Sequence, residues 1–322
     1  MTRSTRATKA GKTTGAWDTS KFRFTDLRKL EREGFVAGAD VRVPGNEAVP
    51  RPRSDERVCF AAYMQRGLSL PMHAFLRGLL HAYGLQLHDL TPNSLLQIAC
   101  FVTLCECFLG VFPHWGLWKH LFDVKRSCKS YQTGGVQVSV KSNVTYFNLE
   151  QRESVQGWRS KWFYIKDQPV VGQQFGLTPF DPSAQVKRTR AWRHELTDAE
   201  RAVVAPLYLR VEELKKTAGR EVSGLHLMAL FSKRCVQPLQ QRSSPMWRFS
   251  GVDDPTRVLR EDSSSVKFES RVHRLTRFSK EDWNRELLAC PVRPFSLDSP
   301  PAEVSGNSES CLISVDMFPR CS

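Results

Sequence analysis

The chain has 322 residues, of which 41% are hydrophobic and 25% charged, and these values exclude a chain too small or too polar to bury a core. Lys and Arg outnumber Asp and Glu by 47 to 33, which gives a formal net charge of +14. That excess favours nucleic acid or another anionic surface as a partner, although it does not by itself establish binding.

The first 50 residues are expected to form a basic, largely disordered arm that contains one short helix. Residues 1–20 are rich in Thr, Arg, Lys and Gly and include no acidic residue before Asp18, so they cannot bury enough apolar surface to fold. The same composition suits an arm that touches phosphates, or an organelle transit peptide. A helix is predicted over residues 25–33 and an extended, proline-containing linker over residues 44–52.

Residues 51–175 are predicted to form an α+β domain, mostly helical, with a helical core followed by a small antiparallel sheet. Residues 58–60 are expected to form a short strand. Pro71 is then expected to begin a helix that ends at Gly84, because apolar residues recur at helical spacing between them.

Two further helices are predicted in this region. The first has Thr91 as its N-cap and Pro92 in its first position, and it ends at Gly110. It is apolar on nearly every side from 95 to 109, yet shorter than the roughly 20 residues that span a bilayer, so a buried core helix is expected. The second opens at Pro113 and carries Trp115, Leu117, Trp118, Leu121 and Phe122.

The hydrophobic period changes after these helices and becomes that of strands. Val136, Val138 and Val140 alternate with polar residues, which is typical of a half-buried strand. Residues 146–147 and 162–165 are expected to supply the other strands of the sheet.

Residues 176–196 are predicted to be a basic linker, and a second helical region is expected to begin after it. Thr197 and Glu200 have the spacing of a capping box, which predicts a helix that reaches about Thr217. The apolar face of that helix is expected to consist of Val203, Leu207, Val211 and Leu214.

More helices are predicted in the remainder of this region, which is taken to cover residues 197–290. Their expected ranges are 223–235, 264–277 and 279–290. Residues 291–322 are rich in Ser and Pro, so a disordered tail is predicted there.

No catalytic or metal-binding constellation can be recognised in the sequence. Two histidines lie near three cysteines, but their spacing is not that of paired structural zinc ligands; these residues are His114, His120, Cys100, Cys105 and Cys107. Strand-transfer chemistry needs three acidic side chains that hold two metal ions, and no pattern selects a set from Asp123, Glu153, Asp167 and Asp181. A non-enzymatic protein without cofactor or metal is therefore expected.

A cluster of cations with an interleaved aromatic residue precedes the Thr197 helix. Its members, the candidate nucleic-acid contacts, are Lys187, Arg188, Arg190, Trp192 and Arg193. Cations suit phosphate contact and a tryptophan suits base stacking; the alternative is a solvated linker with one anchoring tryptophan. A second candidate surface surrounds the strand at 162–165 and comprises Arg152, Arg159, Lys161 and Lys166.

Several short strings in residues 51–170 match a recurrent plant pattern. They include Arg66-Gly67-Leu68-Ser69-Leu70-Pro71, Leu90-Thr91-Pro92-Asn93, Phe101-Val102-Thr103-Leu104-Cys105-Glu106 and Pro113-His114. This segment resembles the putative gypsy-type transposon domain of plants, which is also labelled a putative transposase domain. Residues 194–277 resemble a second block that often follows it. The resemblance implies a retrotransposon-derived protein and carries over no catalytic residue.

The sequence therefore favours a non-catalytic, transposon-derived protein that associates with nucleic acid, DNA or RNA, or takes part in assembly. One alternative is a protein-interaction module that uses the loop at 237–247. Another is an inactive or cryptic remnant of a transposase or nuclease. The nine cysteines are odd in number and irregularly spaced, and no secretory signal opens the chain, so a nuclear or cytoplasmic protein without a membrane partner is expected.

Overall fold

The computed structural model describes most of the chain between residues 17 and 231. The described residues are 17–33, 35–36, 40–126, 133–149, 156–167, 175–184, 186–193, 195–216, 222–231, 249, 251, 253–254, 257–258, 267 and 270–271. The expected arm at 1–16, the helices at 264–277 and 279–290, the tail at 291–322 and the loop at 237–247 lie wholly or largely outside them.

The fold is α+β, with helices surrounding two small antiparallel sheets. The helices are α1 (Phe24–Glu33), α2 (Ala61–Met64), α3 (Ala74–Tyr83), α4 (Pro92–Thr103), α5 (Trp115–Leu121), α6 (Asp198–Lys216) and α7 (Gly224–Phe231). The strands are β1 (Val41–Arg42), β2 (Glu56–Phe60), β3 (Phe122–Arg126), β4 (Val136–Val140) and β5 (Trp162–Lys166).

Helix α3 begins later than the sequence indicates. Its N-cap is His73, whose Nδ1 accepts the backbone N–H of Phe75, so the prediction that Pro71 opens the helix is wrong. The apolar spacing continued upstream of the true cap, which hid the boundary. The predicted end is confirmed, because Gly84 adopts the left-handed conformation at φ 63° that favours glycine as a helix stop.

Helix α4 is the centre of the core. Thr91 caps it by accepting the N–H of Ser94, and Pro92 occupies its first turn, as predicted. The helix continues as a π-helical segment to Leu109 and stops at Gly110, with φ 69°. The 18 residues Pro92–Leu109 are long and apolar enough to cross a membrane, but 94% of them are buried inside the protein, which confirms the prediction of a core helix.

The two sheets have different partners from those expected. In one, β5 lies between β1 and β2, with Val41 opposite Ile165 and Val58 opposite Tyr164. In the other, β3 pairs with β4, with Phe122 opposite Val140. Strand β1 was not predicted.

Two sequence-based assignments near these sheets are wrong. Phe122 was expected in the third helix, but α5 ends at Leu121 and Phe122 begins β3, because its backbone pairs with β4. Residues 146–147 are buried but belong to no strand. Their aromatic rings fill the core without backbone pairing, as in the edge-to-face contact of Tyr146 with Phe122, whose ring centroids lie 5.0 Å apart.

Helix α6 begins with the predicted capping box. Thr197 and Glu200 exchange side-chain-to-backbone hydrogen bonds of 2.7 and 3.2 Å. The predicted apolar face is wrong at one position, because Val203 is 57% exposed whereas Val204 is buried. The next helix, predicted over 223–235, begins as expected, because Ser223 caps it: Ser223 Oγ accepts the N–H of His226 in α7.

Helices α6 and α7 pack against the helices of the first region. Helix α6 contacts α5, and α7 contacts α4. The buried side chains of α6 and α7, including Val204, Val211, Leu227 and Leu230, belong to the same apolar core as those of α3 to α5.

Candidate nucleic-acid interface

The cations of the candidate site lie on a short segment at the surface, residues 186–193, here called the basic segment. Residues 186–189 belong to no helix or strand, the backbone of Thr189 is extended, and Arg190–Trp192 then form one 3₁₀ turn. Four of the five candidate residues are exposed, namely Lys187, Arg188, Arg190 and Arg193, whereas Trp192 is half-buried. None of the four cations forms an ion pair with a carboxylate of another described residue.

The basic segment caps the carboxyl end of α3. The Thr189 hydroxyl donates to the Ala82 carbonyl at 2.6 Å, and the Trp192 Nε1–H donates to the Tyr83 carbonyl at 2.9 Å. A helix offers its last carbonyls no partner of its own, so these two side chains satisfy acceptors that α3 leaves open. The partial negative charge at a helix carboxyl end also favours nearby cations.

A buried lysine holds the same turn from the other side. Lys119, near the end of α5, donates from Nζ to the Ala191 carbonyl at 2.7 Å. Burial and the nearby charge of Lys141 together lower the pKa of Lys119 to about 8, and Asp123 partly offsets them. The amine is still mostly protonated at pH 7, so Lys119 makes a charge-assisted hydrogen bond to the segment.

The indole of Trp192 packs on the core as well as donating its N–H. Its ring meets the ring of Tyr83 edge-on, with centroids 5.5 Å apart and planes at 87°. The Tyr83 ring in turn lies 5.7 Å from Lys119 Nζ. Together these contacts fix residues 189–192 of the basic segment against α3 and α5.

Arg126 is a further cation beside the basic segment that the sequence did not single out. It is exposed at the end of β3, and its Nη1 lies 3.4 Å from the Val186 carbonyl. The neighbouring Lys125 is also exposed but pairs with Asp123 at 3.0 Å. No sequence signal indicates Arg126, because its place beside the segment depends on β3, which forms by pairing with β4.

Two of the four cations of the second candidate surface, around β5, are used within the fold. Arg159 lies 4.9 Å over the ring of Trp158 and donates to the Thr133 carbonyl. Lys161 pairs with Asp26 at 2.9 Å. Lys166 is exposed, and Arg152 lies outside the described residues.

The carboxylates weighed for metal-dependent chemistry occupy separate sites. Asp167 accepts from Arg77 at 2.7 Å and lies 3.5 Å from Arg57, whereas Asp181 is exposed and accepts from Ser183. Glu153 lies outside the described residues. Within the part of the chain that the structure describes, no three His, Cys, Asp or Glu side chains converge on a metal-sized site.

The cysteines and one histidine weighed as zinc ligands are packed into the core or used as a cap. Cys100, Cys105 and Cys107 are buried, and burial raises the pKa of the Cys100 and Cys105 thiols. His114 Nδ1 accepts the N–H of Leu117 and so caps α5, and burial lowers the pKa of this histidine.

The region between β2 and β3 corresponds to a known family. Residues 58–126 match the family described as "Putative gypsy type transposon". Residues 58–126, here called the transposon domain, are similar to this family. Comparisons with curated proteins and with solved structures found no match.

The transposon domain supplies the framework of the candidate site. Its matched residues include Ala82, Tyr83, Lys119 and Arg126, which contact the basic segment. The basic segment itself lies about 60 residues beyond the end of the match.

Proposed function

We propose that this protein is a non-catalytic, nucleic-acid-associated product of a transposable element. In this proposal it acts in the nucleus or cytoplasm and contacts phosphates through the basic segment. The observation that carries the proposal is the presentation of four exposed cations, without paired carboxylates among the described residues, on a segment fixed to the end of α3. The transposon domain and the net charge of +14 support it.

The physical basis is counterion release from a polyanion. Each phosphate that a lysine or arginine neutralises releases condensed counterions, so affinity falls as salt concentration rises. Three of the four exposed cations are arginines, whose planar guanidinium group can bind a phosphate through two parallel hydrogen bonds. A segment already held in place loses less conformational entropy on binding than a flexible linker would.

The test is the salt dependence of binding to labelled duplex DNA, single-stranded DNA and RNA, followed by fluorescence anisotropy. We expect binding of at least one of them at low salt, with a linear fall of log affinity against log salt concentration. An affinity that does not change with salt, or no binding of any of the three at low ionic strength, contradicts the proposal.

Charge-matched variants locate the contact. The test variant combines Arg188→Gln, Arg190→Gln and Arg193→Gln. The control variant removes the same charge from exposed helix surfaces and combines Arg28→Gln, Lys29→Gln and Arg201→Gln, whose native side chains are 57–80% exposed. On duplex DNA, the slope of log affinity against log salt concentration should be shallower for the test variant by about 0.9 per lost contact. The control should keep the native slope. Equal losses in both variants would mean that binding reflects net charge alone.

A further inference from the structure

We infer that the basic segment recognises the phosphate backbone alone, and that Trp192 anchors the segment instead of stacking on a base. This inference rests on the proposed function and names the ligand of the same site: a phosphodiester backbone of any base sequence. The candidate role of a tryptophan among cations is base stacking, so the two roles of Trp192 make opposite predictions.

The contacts of Trp192 support the anchoring role. The indole N–H is donated to the Tyr83 carbonyl at 2.9 Å, and the ring lies edge-on to the Tyr83 ring. The side chain is half-buried and packs against the apolar core. Rotating this ring outward to meet a base would leave the Tyr83 carbonyl, at the end of α3, without its donor.

The other residues of the basic segment also fall into two groups, those that contact the protein and those that face solvent. Thr189 and Trp192 both point their donors at α3, and Lys119 fixes the Ala191 carbonyl from α5. The exposed side chains of the segment are cations, while its partly buried ones, Val186, Thr189 and Trp192, contact the protein. The chemistry left facing solvent is therefore that of phosphate binding.

A single strand without bases separates the two roles. The probes are a labelled single-stranded DNA and an abasic strand of the same length and phosphate number, compared by anisotropy at one salt concentration. Backbone recognition predicts nearly equal affinities of the native protein for the two probes. Stacking of even one base would favour the base-containing strand by about fivefold or more.

Two variants then test the anchoring residues, and a third tests a phosphate contact. Trp192→Phe keeps an aromatic ring but removes the N–H, and Thr189→Val keeps the shape of the side chain but removes the hydroxyl. Each should weaken binding to both probes by the same factor, because a segment that is held less firmly loses more conformational entropy on binding. The salt slope should not change, because no phosphate contact is lost. Arg190→Gln, by contrast, should reduce the slope on single-stranded DNA by about 0.7.

The outcomes distinguish this inference from the proposed function. A native protein that prefers the base-containing strand overturns the inference and leaves the proposed function standing. A native protein that binds neither probe, nor duplex DNA or RNA, defeats both. Circular dichroism of each variant checks that the fold is retained, and Thr189→Val, a change at a partly exposed position, provides the test should Trp192→Phe fail to fold.

Discussion

Gly84 has two structural roles at one position. It ends α3 in the left-handed conformation, at φ 63°, and it lies directly beneath the basic segment. A Cβ atom added there would come within 2.8 Å of Thr189 Cγ2. A side chain at position 84 would therefore strain the backbone and push against the residue that holds the segment on the helix.

The loss of stability caused by Gly84→Ala should therefore have two separable contributions, one from the backbone and one from the contact with Thr189. The left-handed backbone should cost about 1 kcal/mol, and the contact with Thr189 should add to it. The double variant Gly84→Ala/Thr189→Ser removes the clashing methyl group but keeps the hydroxyl that donates to Ala82. We expect the double variant to recover only the destabilisation caused by the contact with Thr189. The free energy of unfolding is measured by urea denaturation, with Thr189→Ser as the reference for the double variant. Strictly additive effects of the two substitutions would contradict the close approach.

The residues of the candidate site differ in how far sequence could predict them. The four cations are visible as a cluster because their property, charge, belongs to each residue. The anchors Lys119 and Thr189 are not visible in the sequence. Their hydrogen bonds join residues that are 72 and 107 positions apart, and the acceptors are backbone carbonyls, which carry no sequence signal. Trp192 was found, but the sequence offers no reason to prefer one of the two roles weighed for it, because its hydrogen-bond partner Tyr83 lies 109 residues away.

At the scale of elements, local signals predicted what local interactions determine. The start and end of α4 were predicted because Thr91 and Gly110 act on backbone groups within a few residues of themselves. Strand β3 was missed because its five residues become a strand only by pairing with β4, which begins at Val136. The face of α6 was misplaced at Val203 because apolar residues stand at both 203 and 204, so the helical period alone could not select between them.

The 3₁₀ turn at Leu87–Asp89 contains two buried groups whose titrations oppose each other. Burial lowers the pKa of His88 to about 4 and raises the pKa of Asp89 to about 6. His88 packs against the rings of both Trp17 and Phe180, whose centroids each lie 5.2 Å from its own. The charge of Asp181 partly offsets the shift of His88, and the Gln86 N–H and the charge of Arg126 partly offset that of Asp89.

The signs of the two contributions follow from which state binds the proton first. As pH falls from 6.5 to 4, the unfolded chain protonates its histidine before the folded chain protonates His88, so the free energy of unfolding falls. As pH falls from about 6 to 3.8, the folded chain protonates Asp89 first, so the free energy of unfolding rises. Each effect is on the order of 2–3 kcal/mol, so they largely cancel in the native protein.

Single substitutions should reveal each half of this balance. Asp89→Asn keeps an oxygen acceptor for the Gln86 N–H and should make the protein lose stability, relative to the native chain, as pH falls from 6.5 to 4. His88→Phe keeps an aromatic ring and should make it gain stability, relative to the native chain, over the same range. Urea denaturation at several pH values measures both, and parallel pH profiles of the native chain and both variants would refute the assignment.

At the scale of the whole molecule, segments far apart in sequence close one core. Near the amino end, the Ser20 hydroxyl donates to the Trp162 carbonyl at 2.7 Å, and the Trp162 indole N–H donates to the Asp18 carbonyl at 2.7 Å. Near the other end, α7 covers α4, and the backbone N–H of Val258 donates to the Cys107 carbonyl at 2.7 Å. Side chains from both sides of the transposon domain thus belong to one core.

A fragment limited to residues 51–175 should therefore fail to fold cooperatively. It lacks at least five buried side chains of α6 and α7, namely Val204, Val211, Leu227, Leu230 and Phe231. At about 2 kcal/mol each, their loss amounts to roughly 10 kcal/mol, comparable with the whole stability of a typical domain.

We expect this fragment to retain helical far-ultraviolet dichroism but to bind a hydrophobic dye and unfold without a sharp transition. The full chain should show one steep transition in urea instead. If the fragment unfolded as sharply as the full chain and at the same urea concentration, α6 and α7 would be dispensable to the core, because their apolar side chains would then contribute little to its stability.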